Sequence, residues 1–64
     1  MRPYSFGQRV EVWFDGWNQW LPGTVEQIGF LGGVECARIV LDSSKEPSVY
    51  PLDRIQAMEG LFAQ

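Results

Sequence analysis

The chain has 64 residues, 45% of them hydrophobic, and sets five Lys and Arg against eight Asp and Glu for a formal net charge of −3. That length allows one domain, read as residues 1–64 with a core over 7–58 and a tail over 59–64, and it buries only about 60% of the surface its unfolded form exposes. The usual staples of small domains are missing: a single cysteine, Cys36, excludes an intramolecular disulfide, and the lack of histidine excludes a Cys/His zinc site and every histidine-based triad.

The cations Arg2, Arg9, Arg38, Lys45 and Arg54 are scattered among acids. A nucleic-acid module needs a basic stripe that displaces counterions from phosphates, so nucleic acid is not an expected partner. Residues 1–5 lack the apolar run of a signal peptide, and no stretch approaches the ~20 apolar residues of a membrane span. With one free cysteine, this reads as a cytoplasmic protein without membrane contact.

Strand signals are short and punctuated. Arg9 to Phe14 alternates, with Val10, Val12 and Phe14 on one face and Arg9, Glu11 and Trp13 on the other. Asp15-Gly16 ends that strand, because glycine tolerates the positive φ a turn needs. Pro22-Gly23 reads as a further break. Residues 24–30 form a second strand whose phase slips, since Val25 and Ile28 cannot share a face under strict period two. A bulge near Glu26-Gln27 reconciles them, and Gly29 allows a sharp bend. Gly32-Gly33 is a hairpin turn. The third strand spans residues 34–41, with Ala37, Ile39 and Leu41 inward. A polar loop over 42–47 leads to a short fourth strand over 48–50. Pro51-Leu52-Asp53 reads as one helical turn, because proline lacks the ladder donor. Residues 55–58 make a fifth strand.

Five short antiparallel strands, one strongly bent, with a helical turn before the last, describe an all-β SH3-like barrel. The rival OB-fold needs more residues and a helix between strands. Phe14, Val25, Ile39, Leu41 and Ile55 read as core.

The run Gly7-Gln8-Arg9-Val10, then Trp13-Phe14-Asp15-Gly16, then Gly23-Thr24-Val25-Glu26-Gln27-Ile28 resembles Tudor domains. Ile39-Val40-Leu41-Asp42 is similar to that family's third strand. Val49-Tyr50-Pro51-Leu52-Asp53-Arg54-Ile55 is similar to its fourth strand, helical turn and fifth strand. The resemblance covers roughly residues 7–57. It implies a barrel that binds methylated lysine or arginine in an aromatic cage, at about 0.5–2 kcal/mol per cation–π contact. Matched onto this chain, Trp13 and Trp20 stand at the first two cage positions and Tyr50 at a third. Leu41 stands where the family often has another aromatic, which leaves the cage open on that side.

Apart from any family, three readings of the outward Trp13 stay open: packing under Tyr4 and Phe6, an oligomer interface, or a ligand surface. Trp17 falls in a turn, where a large aromatic favours an interface or binding surface. Trp20 reads as a cap on the barrel's end. Asp15 and Asp42 read as turn acids that would sit at one end of the barrel and favour a cationic ligand. Asp53-Arg54 reads as a surface turn. Cys36 reads as a small packing residue, since no histidine is present to activate it.

The expected function is a non-catalytic interaction module. Its surface of Trp13, Trp17, Trp20, Tyr50, Asp15 and Asp42 would hold a peptide, a protein or a cationic side chain, with no cofactor. Two alternatives remain. Ser48-Val49-Tyr50-Pro51 with Leu52-Asp53-Arg54-Ile55 resembles the C-terminal region of type II dihydrofolate reductases, SH3-like chains that tetramerise around a pore. Their Val-Gln-Ile-Tyr run is here reduced to Val49-Tyr50. The other alternative is an acidic inhibitor or decoy from a mobile element, covering a basic surface. Self-association as a symmetric dimer through Trp13 and Trp17 is expected, because a core this small cannot hide three Trp, two Tyr and four Phe. It would fail if Phe62 in the tail covered that patch.

Overall fold

The computed structural model describes residues 4–58. Five strands follow in chain order: β1 (Arg9–Phe14), β2 (Gln19–Leu31), β3 (Val34–Leu41), β4 (Pro47–Pro51) and β5 (Ile55–Ala57). A single 3₁₀ turn, Leu52–Arg54, precedes β5. The strands form one antiparallel sheet in the order β4-β3-β2-β1-β5. This is an all-β small domain whose five-stranded antiparallel sheet is not closed into a complete barrel. The tail expected over 59–64, with Phe62, lies outside the described residues.

β2 is the longest strand and belongs to both halves of the molecule. Its first part pairs with β1, from Phe14↔Gln19 to Arg9↔Thr24. Its second part pairs with β3, and the register slips between Val25 and Gln27. Glu26 is the extra residue of this bulge. The slip keeps Val25, opposite Ile39, and Ile28, opposite Ala37, on the same face. Beyond Thr24 the N-terminal segment takes over from β1: the Gly7 amide donates to the Val25 carbonyl and the Val25 amide to the Gln8 carbonyl, at 2.8 and 3.0 Å.

The core lies on the inner face. It is built from Val10, Val12, Leu21, Val25, Ala37, Ile39, Leu41 and Ile55, with Tyr4, Phe14, Ile28, Tyr50 and Leu52 packed against it. Four of the five expected core residues are buried. Phe14 is only half-buried, because it is the last residue of β1 and the sheet ends beside it.

Several boundaries differ from the sequence reading: β2 spans Gln19–Leu31, β4 begins at Pro47, and β5 ends at Ala57. Pro22-Gly23 does not break the chain but runs inside β2. The Asp42 amide donates to the Pro22 carbonyl at 3.0 Å, so the proline nitrogen, on the same side of the strand, faces past the end of β3 where no ladder bond is due. Gly23 is required by packing: a Cβ there would stand 2.8 Å from Ile39 Cγ2 and 2.9 Å from the Val40 carbonyl. Pro51 is the last residue of β4, an edge strand that tolerates proline, and the helical turn starts one residue later. In the loop after β1, the positive φ falls on Asn18 (54°), whose amide donates to the Asp15 carbonyl at 3.1 Å. Asparagine is among the few side chains that tolerate that region. The Gly32-Gly33 hairpin is as expected, with φ of 60° and 82° that suit a two-residue primed turn.

Gly23→Ala is expected to destabilise the protein by about 1–3 kcal/mol through overpacking. Gly29→Ala, with nothing within 4 Å of the added carbon, serves as control. Urea unfolding of both variants checks this, and an unchanged midpoint for Gly23→Ala contradicts it.

Candidate functional site

Five aromatic side chains meet in two groups, and strand parity puts Trp13 and Trp20 on one face and Phe14 and Tyr50 on the other. Trp13 and Trp20 are direct cross-strand partners on the outer face. Their rings meet edge-on, with centroids 5.4 Å apart and planes at 64°. This geometry sets the positive edge of one ring against the negative face of the other. Trp20 therefore does not cap the barrel's end; it stands beside Trp13, because Leu21 takes the inward position next to it. Nor do Tyr4 and Phe6 pack over Trp13. Tyr4 packs against the core, its hydroxyl donating to the Ile55 carbonyl at 3.1 Å, and Phe6 is exposed.

The second group lies at the open end of the inner face. Phe14 is its hub. Its ring centroid is 5.9 Å from Trp17 and 6.4 Å from Tyr50, in tilted arrangements. Tyr50 reaches this end because it lies opposite Ala37, an inward residue of β3. Trp17 rises from the loop after β1 and stays 63% exposed. Hence the three positions matched to a Tudor cage do not converge: Trp13 and Trp20 face one way and Tyr50 the other. Phe14 joins the cluster although its alternation with Val10 and Val12 reads as plain core. Its place at the very end of a strand, three residues before an exposed tryptophan, was the available signal.

The two acids do not share an end of the barrel. Asp15 follows the last residue of β1. Asp42 is bound to Arg9, the first residue of β1, so about six residues of strand separate them. Both are tied to arginines of this chain. Asp15 accepts from Trp13 Nε1 at 2.7 Å and from Arg54 at 2.8 Å. Asp42 takes both arms of the Arg9 guanidinium, which also donates to Thr24 Oγ1 at 2.8 Å. Arg54 thus does more than form a surface turn: it locks the 3₁₀ turn to the β1–β2 loop. The Arg54 hydrogen bond, followed by that of Trp13, holds the Asp15 carboxyl below the usual carboxylate range. Arg9 does the same for Asp42. A carboxylate lowered on folding adds stability above its unfolded pKa and loses it as pH falls through the folded one. Both pairs therefore support the fold at neutral pH and stop doing so in acid.

Cys36 is buried. Among the described residues, no group of three or more metal-ligating side chains comes together, and no helix is long and apolar enough to cross a membrane. No family model, curated protein or solved structure matches the chain.

Arg54→Ala is expected to raise the Asp15 titration midpoint toward the ordinary carboxylate value and to loosen the Trp13 indole hydrogen bond. Carboxyl-detected NMR titration with the indole N–H shift as second reporter measures both. An Asp15 midpoint that does not move on Arg54→Ala contradicts the pairing.

Proposed function

We propose that the protein is a non-catalytic interaction module that binds a protein or peptide segment through the aromatic end formed by Phe14, Trp17 and Tyr50. The exposure of Trp17 on a hydrogen-bonded turn carries this reading. A tryptophan held against Phe14 loses little freedom on binding and offers about 150–250 Å² of contact surface. Such anchored aromatics dominate binding energy where they occur. A cationic side chain, methylated or not, is a fitting guest, because a cation within about 6 Å of a ring centroid is attracted to its face. Asp15 on the same turn, its side chain 68% exposed, adds negative potential. That pull is moderated by Arg54, so aromatic contact contributes more than charge.

Two features weigh against the alternatives. For a reductase, the chain offers no histidine, and its one thiol is buried. For an acidic decoy, Asp15 and Asp42 are engaged by Arg54 and Arg9 and leave fewer free acids for a basic target.

Selection of an unbiased displayed peptide library against the protein and against Trp17→Ala tests the reading. The wild type is expected to enrich sequence families that bind the variant at least about 10-fold more weakly, as for a moderate hot spot. Equal affinity for Trp17→Ala contradicts it. So does turnover of dihydrofolate with NADPH above the uncatalysed rate.

A further inference from the structure

The register fixes which backbone groups of β2 have a partner. The Val25 amide and carbonyl point to the N-terminal segment, where Gln8 and Gly7 bond them. Val25 and Ile39 are therefore opposite each other without bonding, and in an antiparallel ladder bonded and non-bonded pairs alternate. Along β3, Ile39 and Ala37 turn to Ser48 and Tyr50 of β4. Arg38, Cys36 and Val34 turn to Gln27, Gly29 and Leu31 of β2. Ile28 and Phe30 are left with both N–H and C=O directed away from β3. β1 pairs no further along β2 than Thr24, and the N-terminal segment no further than Val25. Among the described residues, no backbone group meets this edge of β2 between the bulge at Glu26 and the Gly32-Gly33 turn.

We propose that this edge of β2 takes an extended segment of a partner protein by strand addition. An edge with unpaired N–H and C=O groups is a template for another strand, and natural sheets blunt such edges. The other edges of this sheet are blunted. β4 begins and ends with proline. β5 has three residues, and the Tyr4 hydroxyl takes its Ile55 carbonyl. Gln27–Leu31 carries neither proline nor charge. The chemistry that fits is a polypeptide backbone: Ile28 and Phe30 repeat a donor and an acceptor roughly 6.6 Å apart, the two-residue period of a strand. Side chains set the character of the segment. Phe30 is 72% exposed and Leu31 65%, and they lie on opposite faces, so an added strand has an apolar neighbour on each side. On the outer face Gly29 leaves a groove of about 160 Å³ over Cys36, lined also by Leu31, Arg38 and Val49, which a side chain of the segment can fill. The net charge of −3, with Glu26 at the border of the edge, favours a segment with basic ends over a second copy of this acidic chain. This site goes beyond the aromatic end, since Tyr50 belongs to β4, at the opposite edge of the sheet half made by β2, β3 and β4.

The test adds the heptapeptide Lys-Thr-Val-Phe-Val-Thr-Lys to the isotope-labelled full chain and follows amide hydrogen exchange by NMR. In the chain alone, the Ile28 and Phe30 amides are expected to exchange quickly and those of Gln27 and Gly29, bonded to β3, slowly. The peptide slows Ile28 and Phe30 by at least about 10-fold at saturation. The same peptide N-methylated at its central Val, Phe and Val binds at least about 10-fold more weakly, having lost its donors. Phe30→Pro removes a donor that bonds nothing in the sheet and weakens the peptide by a similar factor. Near-ultraviolet dichroism checks its fold, and Phe30→Lys, a charge of the kind that guards natural edges, takes its place if the proline variant does not fold. Trp17→Ala leaves the affinity unchanged. Ile28 and Phe30 amides unaffected by millimolar peptide overturn the proposal. So does binding lost in Trp17→Ala and kept in the Phe30 variants, which assigns the peptide to the aromatic end. Protection of Ile28 and Phe30 in the chain alone also overturns it. Protection that rises with protein concentration assigns the edge to a second copy, and protection lost on deletion of residues 59–64 assigns it to the tail.

Discussion

The bulge in β2 is the constraint on which the rest of this small fold depends. A chain this short cannot build two separate sheets, each with its own strands, around a core. One strand must serve both. Residues 19–24 of β2 pair with β1, residues 27–31 pair with β3, and the hand-over occurs at Val25 to Gln27. An extra residue there bends the strand and increases its twist. The bend folds the β3–β4 half back over the β1–β5 half, so that Val10 and Val12 of one meet Ile39 and Leu41 of the other. Gly23 lies just before the bend, where the inner faces come closest. The absence of a side chain there lets Ile39 sit against the backbone of β2.

The same bend decides where the surface chemistry falls. By curling the sheet, it brings Tyr50 on β4 to Phe14 at the end of β1, although the two strands are three places apart in the sheet. Trp17 then closes over Phe14 from the loop. The pair Trp13 and Trp20 is local, set by two adjacent strands and independent of the bend. Arg54 joins these parts through Asp15, which also receives the Trp13 indole. The aromatic end is thus held by a hydrogen-bonded turn, one exposed ion pair and the curl of the sheet. Exposed ion pairs stabilise little by themselves. The value of this one lies in fixing the orientation of the loop.

The five strands, the bulge and the hairpin were legible in the residues because each has a short-range cause. The misfit of Val25 and Ile28 under period two required an extra residue, and Gly32-Gly33 left a two-residue turn as the simple connection. Pro22-Gly23 misled, since a proline-glycine pair usually marks a loop. What overrides it is long-range: the proline nitrogen faces beyond the end of β3, and the glycine makes room for Ile39. Parity along β1 correctly turned Trp13 outward, but parity alone does not show which aromatics meet. Phe14 and Tyr50 touch only because the sheet curls, and that angle is written in no single strand. The separation of Asp15 from Asp42 was hidden for the same reason, as both follow strand ends and only the register shows that those ends are offset along β2, Phe14 lying opposite Gln19 and Leu41 opposite Gly23. The apolar outer face of β3 was readable in outline from Val34, Cys36 and Val49. It becomes a groove only once Gly29 is set beside Cys36.

Deleting Glu26 tests the central claim most directly. The deletion makes the β2–β3 ladder regular and leaves Val25 and Ile28 facing the core, so it removes the bend and no apolar side chain. Urea unfolding followed by tryptophan fluorescence then reads what the bend contributes. The account predicts a loss of at least about 2 kcal/mol, or failure to fold, which is large for removal of one exposed residue. A variant that unfolds within about 0.5 kcal/mol of the wild type, the range of ordinary surface changes, would contradict it.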